Sequence, residues 1–135
     1  MVTVDAVVFR PSGTGFEVLL IKRKNEPFKD MWALPGGFVD MDESLEAAVA
    51  RELEEETGIT GIVLTQFHAF GNPGRDPRGR NISVVYYGMA DYAAKASAGD
   101  DAADARWHST RTLPPLGFDH REVISMAMEK LPATK

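Results

Sequence analysis

GFVDMDESLEAAVARELEEETGI, residues 37–59, contains the clearest helical pattern of this chain. Its apolar residues Leu45, Val49 and Leu53 recur every four positions, which places them on one face of an α-helix. A glycine follows where glycines commonly end helices. The pattern therefore predicts a helix over 44–57 with one face in the core.

Three glutamates of this helix, Glu52, Glu55 and Glu56, stand at positions i, i+3 and i+4, so their carboxylates share one side. Like charges at this spacing cost about 0.2–0.5 kcal/mol, and acids in the last turn oppose the helix dipole by roughly 0.3–1 kcal/mol each. These three glutamates therefore do not stabilise the helix, and another reason for their positions is expected. Carboxylate oxygens in a chain without cysteine favour Mg²⁺ or Mn²⁺ over Zn²⁺, whereas a solvated acidic face is the alternative. The spacing alone leaves both interpretations open.

A wider pattern surrounds these acids and resembles the Nudix box, Gly-x5-Glu-x7-Arg-Glu-U-x-Glu-Glu-x-Gly-U, in which U is aliphatic. Every defined position is filled, by Gly37, Glu43, Arg51, Glu52, Leu53, Glu55, Glu56, Gly58 and Ile59. From average residue usage, a chance match at one starting position is on the order of 10⁻⁹. The chain is therefore identified as a member of the Nudix hydrolase family.

This resemblance implies an α/β protein with the Nudix fold, an α/β/α sandwich around a mixed sheet, with the box as a loop–helix–loop. It implies metal ligation by Glu52, Glu55, Glu56 and the carbonyl of Gly36. Glu43 and Arg51 would orient the helix and its carboxylates. Arg51 faces Glu55 at i, i+4, which favours a supporting role over substrate contact.

The carboxylate that positions or deprotonates the attacking water is not settled by the sequence. Glu55, Glu56 or an acid of the 100–104 loop would serve. In related enzymes a loop outside the box often supplies another carboxylate, here Asp101 or Asp104. A solvated Asp-rich loop is the slightly favoured alternative, because Asp is common in turns for its own reasons.

The remaining chain predicts strands and one further helix, within a single domain over 1–135. The predicted strands are 2–9, 16–22, 59–70, 82–90 and 105–108, and a surface loop is expected over 93–103. From Asp119 the residues resemble a capping box that opens a packed C-terminal helix.

The loop 71–80 carries the three arginines Arg75, Arg78 and Arg80 and resembles the corresponding loop of small ADP-ribose pyrophosphatases. Guanidinium groups pair well with phosphate oxygens, although arginines paired with their own acids are the alternative. The residues around Phe118 also resemble this branch. Aromatic side chains such as Phe118 and Trp32 could stack on adenine, but each is more often part of a core.

The composition limits the kinds of partner and the compartment that are expected of this protein. A formal net charge of −5 argues against broad nucleic-acid binding. The absence of cysteine fits a reducing compartment, and neither a signal peptide nor a membrane span is indicated, so a cytoplasmic protein is expected. A homodimer is expected from the resemblance only.

The predicted function is metal-dependent hydrolysis of a nucleoside diphosphate joined to another group, with ADP-ribose, giving AMP and ribose 5-phosphate, as the substrate. Alternatives are a nucleoside triphosphate-sanitising pyrophosphohydrolase of the same fold and a non-catalytic ADP-ribose-sensing domain. Hydrolysis of ADP-ribose distinguishes the enzyme from the sensor, because a sensor binds the ligand without consuming it.

Overall fold

The computed structural model describes residues 1–99 and 102–132. Within them, seven strands form one mixed sheet with a helix on each face. In chain order the elements are β1 (Val2–Ser12), β2 (Gly15–Arg23), β3 (Trp32–Ala33), β4 (Gly36–Phe38), α1 (Leu45–Thr57), β5 (Thr65–Phe70), β6 (Ile82–Met89), β7 (Ala102–Ser109) and α2 (His120–Met128).

Strand β1 lies at the centre of the sheet and changes partner along its length. Its end, at Phe9 to Ser12, pairs antiparallel with β2, and its beginning, at Thr3 to Asp5, pairs antiparallel with β4. On its other edge β1 runs parallel to β6, which in turn pairs with β5. This change of partner brings the glycines of β4 beside Asp5 in the middle of the sheet.

The two faces of β1 carry different halves of the core, because successive side chains of a strand alternate. One cluster joins Val4, Ala6 and Val8 of β1 to Val49 and Leu53 of α1. The other joins Val7 and Phe9 of β1 to Val123 and Ile124 of α2. The predicted α/β/α sandwich is therefore the observed architecture.

Helix α1 has the ends that the sequence predicts. The Ser44 hydroxyl accepts a hydrogen bond from the backbone N–H of Ala47 at 3.1 Å, which caps the first turn. Gly58 adopts a left-handed conformation with φ 75° and donates its N–H to the carbonyl of Glu54, which closes the last turn.

Two strand predictions were wrong in their limits. The strand expected over 59–70 begins only at Thr65, because Gly61 takes a positive φ of 75° and turns the chain first. The short strand expected over 105–108 extends from Ala102 to Ser109, so the surface loop over 93–103 is also shorter than predicted. Ala94 and Ala96 of that loop pack against the α1 half of the core.

The capping box expected at Asp119 is not formed. Asp119 stands at the N-cap of α2 but makes no side-chain capping bond, because its carboxylate binds Arg75 instead. No helix among the described residues is long and apolar enough to cross a membrane.

Candidate functional site

Arg51 of α1 is surrounded by carboxylates. Its guanidinium donates to Glu43 at 2.6 and 2.9 Å, to Glu52 at 2.8 Å and to Glu55 at 3.2 Å. The hydrogen bonds from Arg51, with one from the backbone N–H of Asp40, lower the pKa of Glu43 to about 2. Glu43 thereby ties the loop before α1 to the arginine that holds Glu52 and Glu55.

Two carboxylates of α1 contact the glycines of β4. Glu56 is buried and its Oε1 accepts a hydrogen bond from the Gly36 N–H at 2.7 Å. The Glu52 carboxylate lies so close to Gly37 that a Cβ added there would stand 2.7 Å from its carbon and one oxygen. A side chain at residue 37 would displace the Glu52 carboxylate from this place.

The donor set fits a hard divalent cation, because Glu52 and Glu56 approach the Gly36–Gly37 backbone with oxygen atoms only. Among the described residues, no group of three or more acidic or histidine side chains is gathered closely enough to hold an ion. Arg51 donates hydrogen bonds to Glu52 and Glu55, whereas Glu56 accepts the Gly36 N–H.

A cavity opens on the α2 side of the sheet, and Glu56 is the member of the three glutamates that reaches it. It is lined by the buried Thr3 and Asp5 of β1 and by the more exposed Arg78, with Phe118. The cavity therefore joins the carboxylate end of α1 to the arginine-rich loop.

Arg78 is fixed in this cavity by a buried acid. Asp76 accepts hydrogen bonds from the backbone N–H of Arg78 at 2.9 Å and from its guanidinium at 2.7 Å, and from Asn81 at 3.0 Å. Burial raises the pKa of Asp76, but these hydrogen bonds outweigh it and hold the pKa well below its usual range. The Arg78 guanidinium lies 4.9 Å from the centre of the Phe38 ring and 5.5 Å from that of Phe118.

The other two arginines of the loop have different surroundings. Arg75 is almost fully buried, with 5% of its side chain exposed, and donates two hydrogen bonds to Asp119 at 2.7 and 2.9 Å. Arg80 is exposed and donates to the carbonyl of Gly71, away from the cavity wall. Arg75 and Arg78 thus line the cavity with acids already bound, Arg78 to an acid of its own loop and Arg75 to one outside it.

Arg23, at the end of β2, is a cavity residue that the sequence analysis missed. Its guanidinium donates to the carbonyl of Pro27 at 2.6 Å and lies 5.1 Å from the centre of the Phe118 ring. Burial and the neighbouring charge of Arg78 lower the pKa of Arg23. Two like charges therefore face the same ring, an arrangement that an anion would stabilise.

Asp5 and His120 form the buried floor of the cavity. Nδ1 of His120 accepts the backbone N–H of Leu34 at 3.0 Å, so Nε2 carries the proton when the ring is neutral. Nε2 lies 3.8 Å from Oδ2 of Asp5, which also accepts a hydrogen bond from Ser83. Burial lowers the pKa of His120, which favours this neutral form.

The sequence and fold of this chain are similar to those of known proteins. The sequence model of the NUDIX domain matches residues 1–126. The chain belongs to the NUDIX domain family. Hydrolases of this family generally require divalent metal ions.

Relatives of this Nudix domain include an enzyme and a regulator. An ADP-ribose pyrophosphatase of Methanocaldococcus jannaschii is 43% identical over 91% of this chain and 70% of its own length. The ADPR responsive transcriptional repressor NtrR of Acinetobacter baylyi is 36% identical over 97% of this chain, which spans 54% of the repressor. The structure of the NUDIX domain of Shewanella oneidensis NrtR complexed with ADP ribose has a TM-score of 0.90 at 38% identity, covering 98% of this chain and 88% of that one. The predicted family, fold class and enzyme class, a Nudix pyrophosphohydrolase, are confirmed by these similarities.

Two loop carboxylates outside the box were predicted to reach the site. The one that the structure describes does not line the cavity. Asp104 lies on β7, outside the cavity wall, and accepts a hydrogen bond from Arg106 at 2.7 Å. Asp101 lies outside the described residues. Trp32, the alternative stacking residue, packs in the α2 half of the core against His108, with ring centres 4.5 Å apart.

The missed cavity residues of this Nudix domain carry weak sequence signals. Asp5 interrupts an otherwise apolar strand, and a charged residue at an inward-facing position is unusual enough to be noticed. Arg23 stands between two lysines and is inconspicuous there. His120 lies in the predicted start of the C-terminal helix, where a polar residue is ordinary. Their proximity depends on the change of partner along β1 and not on any local motif.

Proposed function

We propose that this Nudix domain hydrolyses ADP-ribose to AMP and ribose 5-phosphate. The observation that carries the proposal is the meeting of Glu56 with Arg23 and Arg78 in one cavity. A diphosphate needs cationic partners, and this negatively charged protein supplies them at the cavity. The similarity to an archaeal ADP-ribose pyrophosphatase and to an ADP-ribose-bound NUDIX domain supports the same substrate.

The metal in this proposal is Mg²⁺ or Mn²⁺, held by Glu52, Glu55, Glu56 and the carbonyl of Gly36. When bound, such an ion neutralises phosphate oxygens and acidifies the attacking water. Glu43 acts through Arg51, because its two hydrogen bonds aim the guanidinium at Glu52 and Glu55. Arg51 in turn sets where those carboxylates stand.

Glu56 positions the attacking water in this proposal, since it is the member of the three glutamates that lines the cavity. Arg78 binds the diphosphate with the ring of Phe118 beside it, and its fork is already oriented by Asp76. Arg75 braces the loop through Asp119 and reaches the cavity wall, whereas Arg80 contributes through the shape of the loop.

The test is turnover of purified protein with ADP-ribose and Mg²⁺ or Mn²⁺, followed by chromatography of the products. Formation of AMP and its loss in excess chelator are the expected results. ADP-glucose, NADH, diadenosine polyphosphates and nucleoside triphosphates serve as competing substrates. A preference for a triphosphate would replace the proposed substrate with that of a sanitising pyrophosphohydrolase.

Sensing of ADP-ribose is the second candidate function, favoured by the similarity to a transcriptional repressor and to the NrtR domain. The two functions differ in the fate of the ligand. A sensor would be stabilised by ADP-ribose and release no AMP with either metal. The complete box favours the enzyme, because each of its acids and its arginine is present.

We further propose that residues 1–135 form one Nudix domain of a cytoplasmic protein that binds small nucleotides and no nucleic acid. The net charge of −5 supports the last point. A homodimer belongs to the same proposal, and light scattering of the purified protein tests it.

A further inference from the structure

Asp5 is a buried carboxylate with one oxygen that the protein does not use. Only 7% of the residue is exposed. Oδ2 accepts the Ser83 hydroxyl and faces His120, whereas Oδ1 accepts no hydrogen bond from the described residues. Oδ1 lies against Gly36, on the wall of the cavity that Glu56 reaches. Oδ1 is therefore open to the cavity, where a hydrogen-bond donor of a ligand can reach it.

The charges of the cavity indicate what kind of group this is. The other acids around the loop are neutralised by arginines, Asp76 by Arg78 and Asp119 by Arg75. Asp5 accepts a hydrogen bond from the Ser83 hydroxyl and faces an imidazole whose pKa burial lowers. Arg23 and Arg75 attract its charge through space, but no hydrogen bond joins either of them to Asp5 in the described part of the chain. An ionised phosphate offers only acceptor oxygens and cannot donate to Oδ1, so the phosphate positions belong to the arginine side of the cavity. A neutral group rich in hydrogen-bond donors fits the Asp5 side.

A second polar side chain stands next to Asp5. Thr3 lies two residues earlier on β1, so both side chains leave the strand on the same face, and both line the cavity. A carboxylate beside a threonine hydroxyl suits neighbouring hydroxyl groups, because the carboxylate accepts and the threonine can donate or accept.

We propose that Asp5, together with Thr3, binds the hydroxyl groups of the sugar that is joined to the nucleoside diphosphate. This inference rests on the proposed function and names the part of the substrate that the enzyme recognises. The distal sugar, which carries no base, is the part of the substrate that offers such hydroxyl groups. It would bind in the confined space beside Asp5, which has Ser83, His120 and Gly36 as neighbours. Asp5 and Thr3 are then specificity-determining residues that distinguish a nucleoside diphosphate sugar from a simple ester of the same diphosphate.

The test compares two ligands in the intact protein, ADP-ribose and the methyl ester of ADP, which has no distal sugar. Asp5→Asn keeps the shape of the side chain and an acceptor for Ser83 but removes the charge. We expect calorimetric affinity and kcat/KM for ADP-ribose to fall roughly 10- to 100-fold, the loss expected for a hydrogen bond to a charged group. Both quantities for the methyl ester should change less than about twofold, within the range of a surface substitution.

Thr3→Val is the second variant, because valine has the shape of threonine without its hydroxyl, and it carries the test if Asp5→Asn fails to fold. It should weaken the binding of ADP-ribose but not that of the methyl ester, and by a smaller factor than Asp5→Asn does. Asp91→Asn, at an exposed acid outside the cavity wall, is the matched control and should alter neither ligand.

Equal losses for both ligands would overturn the inference in favour of a structural or metal-positioning role for Asp5, and so would no loss for either. Absence of AMP from the wild-type protein would overturn the proposed hydrolysis. The affinity comparison, made without metal, would in that case still decide the inference.

Discussion

Asp76 accepts hydrogen bonds from both the backbone N–H and the guanidinium of Arg78, at 2.9 and 2.7 Å, and only 2% of its side chain is exposed. The acid thereby fixes the orientation of a cation that lines the cavity. Arg78 is both a candidate phosphate ligand and a support for its loop, and these roles have separable consequences.

Arg78→Ala should lower kcat/KM for ADP-ribose roughly 10- to 150-fold, the effect of losing a charge-assisted contact of about 1.5–3 kcal/mol. It should also lower the free energy of unfolding by about 1–3 kcal/mol, because Asp76 loses a partner inside the protein. An unchanged melting temperature would be expected only of an exposed, unpaired arginine. Steady-state kinetics and urea unfolding measure the two effects.

Arg121→Ala is the control for this prediction, since Arg121 is exposed, donates to the backbone carbonyl of Pro114 and lies outside the cavity wall. Arg78→Lys should recover part of the activity, because a point charge cannot reproduce the planar fork. If Arg78→Ala hydrolysed ADP-ribose normally, the loop would be a structural turn and the diphosphate contact would have to be sought at Arg23.

Glu56→Gln should reduce kcat by orders of magnitude while the protein stays folded. Glutamine retains an oxygen that can accept the Gly36 N–H, but it loses the charge required for a metal ligand or a base. Glu54→Gln, on the exposed side of the same helix, should leave kcat unchanged. Circular dichroism checks the fold, and an unaltered kcat in Glu56→Gln would make Glu56 a structural acid.

Glu43 should make the free energy of unfolding depend on pH in the acid range. Its pKa is lowered to about 2 by Arg51, whereas an unfolded glutamate titrates at about 4.3. A lowered folded pKa means that the stabilisation is complete above about pH 5 and is lost as the pH falls through the folded pKa. The difference in unfolding free energy between wild type and Glu43→Gln should therefore shrink from pH 5 towards pH 2.

Urea unfolding at several pH values gives this difference directly, with Asp42→Asn as an exposed acid of the same loop for comparison. A difference that stayed constant with pH would show that Glu43 contributes by shape and not by charge.

Gly99→Ala should weaken the docking of the 97–99 segment on α1. The Gly99 N–H donates to the carbonyl of Glu56 at 3.2 Å, and an added Cβ would collide with the carbonyl oxygen of Glu55. We expect a loss of about 1–3 kcal/mol in stability, typical of an overpacked site, and a lower kcat. Gly15→Ala, where a Cβ meets the Arg111 side chain at 3.4 Å, is the control. Wild-type stability in Gly99→Ala would mean that the segment is free to move.

Local patterns predicted the parts of this protein that are held by near neighbours in sequence. Helix α1, its serine cap and its terminal glycine follow from propensity and periodicity, because a helix closes its hydrogen bonds within a few residues. The contacts of Arg51 with Glu43 and Glu55 also arise within a short stretch. The capping role expected of Asp119 failed, since a buried arginine 44 residues away binds the same carboxylate.

The sequence by itself determined the family, the α/β/α architecture and the acidic face of α1, because each depends on a contiguous pattern. Only the tertiary structure decided which of these residues meet in the cavity. Asp5, Arg23 and His120 lie on separate elements, and the change of partner along β1 brings them together with Glu56. Such contacts form when the sheet and both helices pack, so no local preference of the chain specifies them in advance.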